Sequence, residues 1–157
     1  MKKLERIAII DLGSNTARLV IVQMLGDGHF IVVDQIKESV RLGKDMERDG
    51  FLKVQRIQET IKTLKMFRRL CDAHGIDRII AVATAAVRRA NNKKMFLSDV
   101  FNATGLKFTI VSEEEEANYV YQGVINSHGI PIRCVGIVQE SFDHSRKQKP
   151  VRPKRLT

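Results

Sequence analysis

Three apolar runs follow one another between Arg6 and Ile36 with very little chain between them. Arg6-Ile-Ala-Ile-Ile-Asp11 is short and nearly continuous in apolar residues, the pattern of a strand buried on both faces. Thr16–Leu25 is rich in Val, Ile and Leu and reads as a second strand, and His29–Ile36 as a third. Gly26-Asp27-Gly28 between them is a turn signal, so the two make a hairpin. The chain therefore opens as a three-stranded antiparallel meander.

The pattern then changes period. After a loop at Lys37–Gly50, Val54, Ile57, Ile61, Leu64, Phe67 and Cys71 recur every three or four residues, one face of an amphipathic helix. That helix is expected over Lys53–His74, to bury Ile57, Ile61 and Leu64 and to stop at Gly75. Asp77–Thr84 has a buried-strand pattern. A helix over about Lys93–Ala103 stops near Gly105, and Leu106–Val111 gives a fifth strand. Glu113–Ile125 is a third helix, with Ser112 as its N-cap and carboxylates in the first turn, where the helix dipole favours them. The order β-β-β-α-β-α-β-α points to a single α/β domain with a mixed five-stranded sheet and helices packed on it. At 157 residues one domain is the expectation.

Beyond Asn126 the pattern weakens. Gly129–Val138 could add a strand, with Pro131 tolerated only near its start or at an edge. From Glu140 there is no periodicity, and Arg146–Arg155 is basic, holds two prolines and reads as disordered. Residues 127–157 carry seven Lys and Arg against two Asp and Glu, more than half of the net charge of +9. That excess suggests an anionic partner or a solvated tail. Nucleic acid is disfavoured: two tyrosines and no tryptophan give little for bases to stack on. No apolar stretch approaches the roughly 20 residues of a membrane span, and the first residues lack a secretory pattern. Cys71 and Cys134 form no disulfide or metal pattern and read as reduced thiols of a cytoplasmic protein.

Three motifs fall at strand ends. In Asp11-Leu-Gly-Ser-Asn-Thr16, a carboxylate closes a buried strand, where it needs a cation or donors. Gly13 permits close approach of a ligand, and Ser14, Asn15 and backbone N–H groups suit phosphate with a metal. The same residues also make ordinary polar turns. Thr84-Ala-Ala-Val-Arg88-Arg89-Ala-Asn-Asn92 puts arginines at the carboxyl end of a strand, where they clamp phosphate or stand solvated at a helix start. In Ser112-Glu-Glu-Glu-Glu-Ala117, Glu113 and Glu116 lie near one helix face. One glutamate could serve as a general base, or all could simply satisfy the dipole.

Taken together, Ile7–Thr16, Val40-Arg-Leu-Gly43, Ala83–Asn92, Ile110–Ala117 and Gly123-Val124 resemble, in order and spacing, the exopolyphosphatase / guanosine pentaphosphate phosphohydrolase family. The likeness covers residues 5–126. It implies a ribonuclease-H-like domain of the actin, Hsp70 and sugar kinase superfamily, and hydrolysis of terminal phosphate from polyphosphate or guanosine pentaphosphate with Mg²⁺. It further implies that Asp11, Gly13, Ser14 and Asn15 form a phosphate loop and that Arg41 and Arg88 line the anion path. Glu116 falls at the base, with Asp11 and Glu116 the metal carboxylates. A homodimer is left open. Two departures stand out. Glu113 replaces the family's glycine after the serine, and Val135–Asp143 lacks the opposing Asp-x-Gly-Gly-Gly-Ser loop. Residues 127–157 are therefore expected to be an atypical tail, the product of truncation or a frame shift, and the alternative function is a non-catalytic phosphate- or polyanion-binding domain.

Overall fold

Ile7 lies opposite Val22 on one side and Arg78 on the other, and Leu12 opposite Ala17 and Ala83. The first strand is thus paired along both edges, which explains its unbroken apolar run. The computed structural model describes residues 3–26, 29–126, 134 and 136–138. Strands β1 (Arg6–Leu12), β2 (Thr16–Gly26) and β3 (His29–Ser39) form the antiparallel meander. Strands β4 (Arg78–Ala83) and β5 (Phe108–Ile110) add in parallel beyond β1, giving the order β3-β2-β1-β4-β5. This is the expected mixed five-stranded sheet. The second and third strands run on to Gly26 and Ser39, slightly past the expected ends.

Helix α1 (Val54–Ala73) follows β3, the short α2 (Ala85–Arg89) and α3 (Lys93–Thr104) follow β4, and α4 (Glu113–Asn126) follows β5. Ala8, Ile10 and Leu12 point into a core shared with Leu64 and Phe67 of α1 and Phe96 of α3. Ile57 and Leu64 are buried as expected, while Ile61 is only partly covered. The α1 helix stops where Gly75 was expected to stop it: the Gly75 N–H donates to the Asp72 carbonyl and the Ile76 N–H to that of Cys71. Ile7 and Ile9 point to the opposite face, into a second core with Val20, Val22, Val82 and Val111. Alternation along one strand thus feeds two cores.

Where the expected sixth strand is described, it is not strand. Residues 134 and 136–138 are helical, and Cys134, Ile137 and Val138 are buried in the second core. A short β-branched run fits either state, and here the i, i+3, i+4 spacing of those three residues wins. Gly136 meets α4 so closely that a side chain there would overlap the Tyr119 carbonyl. At these positions the chain beyond Asn126 is packed against the sheet, not a free tail. The basic stretch from Glu140 lies outside the described residues. Among the described residues no helix is long and apolar enough to cross a membrane.

Candidate functional site

Because β1, β4 and β5 are parallel neighbours, their carboxyl ends lie side by side. The Thr84 N–H donates to the Leu12 carbonyl at 3.1 Å and the Val111 N–H to the Ala83 carbonyl at 3.0 Å, which extends both ladders into the loops. All three motifs leave the sheet at this edge, where open α/β sheets bind ligands.

The turn after β1 is closed by the Gly13 N–H, which donates to the Thr16 carbonyl at 2.9 Å. The Asn15 carbonyl accepts from the N–H groups of Val40 and Arg41, and the Ser14 carbonyl from that of Gly43, each at 2.9 Å. These bonds lay residues 40–43 beside the turn. Val40 and Leu42 are buried and hold that segment down, and Arg41, between them, is exposed. Arg41 takes a left-handed φ of 47°, a conformation costing on the order of 1–3 kcal/mol in a non-glycine residue. A Cβ on Gly43 would sit 3.2 Å from Cβ of Ser14 and 3.4 Å from Cβ of Ala86. The turn, the 40–43 segment and α2 therefore meet almost in contact.

Around this junction opens a cleft of about 630 Å³. Ser14 and Asn15 line it with three cations, Arg41, Lys44 and Arg89. Asp45 and Glu47 stand on its wall as well. Hydroxyl, amide and guanidinium groups facing one another make a surface suited to an anion with several oxygens.

Arg88 does not line the cleft. Its Nη1 donates to the Val111 carbonyl at 2.8 Å and lies 3.4 Å from Oε2 of Glu116, and its Nη2 lies 3.7 Å from Oε1 of Glu113. The guanidinium and Glu116 are both about three-quarters buried, whereas Glu113 is almost fully exposed. The four glutamates thus separate by role. Glu115 accepts the Ser112 N–H at 3.3 Å while Ser112 Oγ accepts the Glu115 N–H at 3.1 Å, a reciprocal capping box. Glu116 alone combines burial with a direct contact to Arg88. Asp11 is buried, 5% exposed, on the sheet face of Ile7 and Ile9, which is also the face of α4.

Ser14, Asn15 and Arg41 of the expected site therefore share one cleft. Arg88 and Glu116 pair with each other at the neighbouring strand end, and Asp11 lies beneath. Gly13 shapes the turn, with its N–H committed to Thr16. Sequence reading missed Lys44 and, of the two arginines in the motif, put Arg88 on the anion path where the cleft is lined by Arg89. Lys44 and Arg89 each sit one residue beyond a position singled out, so the signal was the basic dipeptide Arg88-Arg89 and the lysine directly after Gly43.

Residues 20–135 match the Ppx/GppA phosphatase family. The chain belongs to the Ppx/GppA family. The match runs past Asn126, the last residue covered by the resemblance. The crystal structure of the Aquifex aeolicus Ppx/GppA family member superposes with a TM-score of 0.73 at 37% identity, over 78% of this chain and 40% of that one. An exopolyphosphatase from Cytophaga hutchinsonii gives a TM-score of 0.73 at 30% identity, over 76% and 38%. A bifunctional 3-dehydroquinate synthase/phosphatase of Fusobacterium nucleatum is 36% identical over 126 residues, 76% of this chain and 19% of that protein. The chain thus spans about two fifths of these solved Ppx/GppA relatives. Its fold is the expected actin-like α/β domain of the superfamily.

Mg²⁺ uses one or two carboxylates together with substrate phosphates, not a cage of protein ligands. No group of three or more His, Cys, Asp or Glu that could hold a metal exists among the described residues. A buried Asp11 at the end of β1 fits that mode of binding.

Proposed function

We propose that the cleft binds the end of a linear phosphoanhydride, inorganic polyphosphate or guanosine pentaphosphate, and that the chain is the phosphate-binding and base-bearing part of a terminal-phosphate hydrolase. The observation that carries this reading is the meeting of the Ser14-Asn15 turn, the Arg41–Lys44 segment and Arg89 on one cleft. Beside it, Arg88 holds Glu116. Family membership supports the same reading.

In this reading Ser14 and Asn15 donate to the terminal phosphate, and Arg41, Lys44 and Arg89 hold the following phosphates. Glu116, oriented by Arg88, accepts a proton from water as its oxygen attacks the terminal phosphorus and the bridging oxygen leaves with the shortened chain. Asp11 and Glu116 would hold Mg²⁺, which supplies charge neutralisation on the phosphate oxygens. In-line attack needs the phosphate held from both sides. The cleft supplies one wall, so slow turnover is expected from these 157 residues alone.

The test is phosphate release from polyphosphate with Mg²⁺, run beside calorimetric binding of tripolyphosphate. Binding that weakens about tenfold in Arg89→Ala, with slow release abolished in Glu116→Gln, supports the reading. Equal release by the chain and Glu116→Gln removes the base. Binding without any release favours the alternative, a non-catalytic polyanion-binding domain.

A further inference from the structure

The cations of the cleft stand on two separate pieces of chain. Arg41 and Lys44 ride on the loop that leaves β3, and Arg89 ends α2. Their spacing depends on where the far end of that loop is fastened. The fastening is made by two adjacent asparagines after α2. The Leu52 N–H donates to Oδ1 of Asn92 at 2.9 Å, and Nδ2 of Asn92 donates back to the Leu52 carbonyl at 3.0 Å. One side chain thus pairs with both backbone groups of Leu52, as a neighbouring strand would. The Asn91 N–H donates to the Gly50 carbonyl at 2.8 Å, and its Nδ2 to the Asp49 carbonyl at 3.3 Å.

Two further observations mark these residues. Asn92 occupies the N-cap of α3, yet its side chain makes no capping bond. It forgoes the usual use of an asparagine there to hold the loop. Gly50 has φ +75°, and a Cβ on it would lie 2.7 Å from Nδ2 of Asn91. Loop and clamp are therefore fitted to each other. On the inner side, Nζ of Lys93 donates to the Arg88 carbonyl at 2.9 Å, tying the clamp back to α2.

We propose that Asn91 and Asn92 are positioning residues of the anion cleft, acting through the 41–52 loop to hold Lys44 at a fixed distance from Arg89. The proposal rests on the reading of the cleft as a phosphate site. It predicts coupling: once the clamp is cut, Lys44 no longer meets the anion, and removing Lys44 as well costs little more.

The test is a double-mutant cycle read by calorimetric binding of inorganic tripolyphosphate to the full 157-residue chain. Asn92→Ala and Lys44→Ala are each expected to weaken binding about tenfold, and the pair about tenfold rather than a hundredfold. A clamp that only stabilised the fold would leave the effects multiplicative. Gly50→Ala, which crowds Asn91 from the loop side and strains the left-handed backbone of the loop itself, should couple to Lys44 in the same way and carries the test if Asn92→Ala does not fold. In the unmodified chain, exchange of the Leu52 amide should slow when tripolyphosphate binds. Tight binding with multiplicative effects, or with unchanged Leu52 exchange, overturns the positioning role alone. Failure of the unmodified chain to bind tripolyphosphate overturns the phosphate reading and the proposal with it.

Discussion

Arg88 donates from Nη1 to the carbonyl of Val111 at 2.8 Å, joining α2 to the end of β5. The same nitrogen lies 3.4 Å from Glu116, so a single guanidinium closes the sheet edge and aims the proposed base. Hydrogen bonds from charged donors contribute about 1.5–3 kcal/mol each. Arg88→Ala is expected to destabilise the chain by about 2 kcal/mol, seen as a lower urea midpoint at unchanged slope. Arg88→Lys should recover only part of this, because an ammonium cannot reproduce the planar fork. An unchanged midpoint in Arg88→Ala would contradict the assignment.

Gly43→Ala tests the junction of the three segments. The new methyl would stand 3.2 Å from Cβ of Ser14 and 3.4 Å from Cβ of Ala86. Neither Cβ can turn away, since each is fixed by its own backbone. Overpacking of this kind costs about 1–3 kcal/mol. A lowered melting temperature is expected, together with weaker tripolyphosphate binding as the Gly43–Ser14 bond is pushed open.

Much of the framework was legible because period-2 and period-3.6 patterns do not overlap in long segments. The two-sided burial of Ile7–Leu12 and the stripe of Ile57, Leu64, Phe67 and Cys71 came directly from spacing. So did the placing of the three motifs at strand ends. The sequence could not show which of two adjacent arginines turns into the cleft. That choice depends on the five-residue α2, whose rotation sends Arg89 toward Ser14 and Arg88 toward Val111. The Asn91–Asn92 clamp was invisible for a related reason: its partners Asp49, Gly50 and Leu52 are brought near only by the tertiary fold. At Gly129–Val138 a short apolar run carried both periods, and packing of Cys134, Ile137 and Val138 on the second core decided for helix where it is described.

Ser112→Ala should cost about 1 kcal/mol by removing the N-cap of α4. Glu115→Ala should cost a similar or smaller amount, since it supplies the reciprocal bond. Glu114→Ala, an exposed neighbour without a part in the box, serves as the control and should lower the urea midpoint less than Ser112→Ala, since it loses only its share of the helix dipole.

Acid should loosen the start of β1. The Arg6 N–H donates to Asp77 at 2.9 Å and the Lys3 ammonium at 2.6 Å, and these bonds hold its carboxyl below the ordinary carboxylate range. A folded-state value lower than the unfolded one means that the unfolded chain takes up the proton first. The contribution is therefore full above the ordinary carboxylate value and fades as pH falls through the folded one. Stability measured from pH 7 to pH 2 should fall less steeply in Asp77→Asn than in the unmodified chain.

Cys71 should be inert. Burial against the core pushes its thiol up to about 11, so thiolate is scarce at pH 8. Alkylation mapped by mass spectrometry should proceed at Cys71 only as fast as the chain opens, and should accelerate in urea in step with unfolding.

The bond from the Thr84 hydroxyl to the Leu12 carbonyl spans 72 residues of sequence. The wall made by Ser14, Asn15 and Arg41 needs only the meander, whose strands are joined by short turns. The wall carrying Arg89 has to wait until β4 finds β1 across the whole length of α1. Loop closure of that size is slow compared with hairpin formation. A nascent or stretched chain would then offer half a cleft before it offers a whole one, and the ability to grip an anion would arrive as one of the last events of folding.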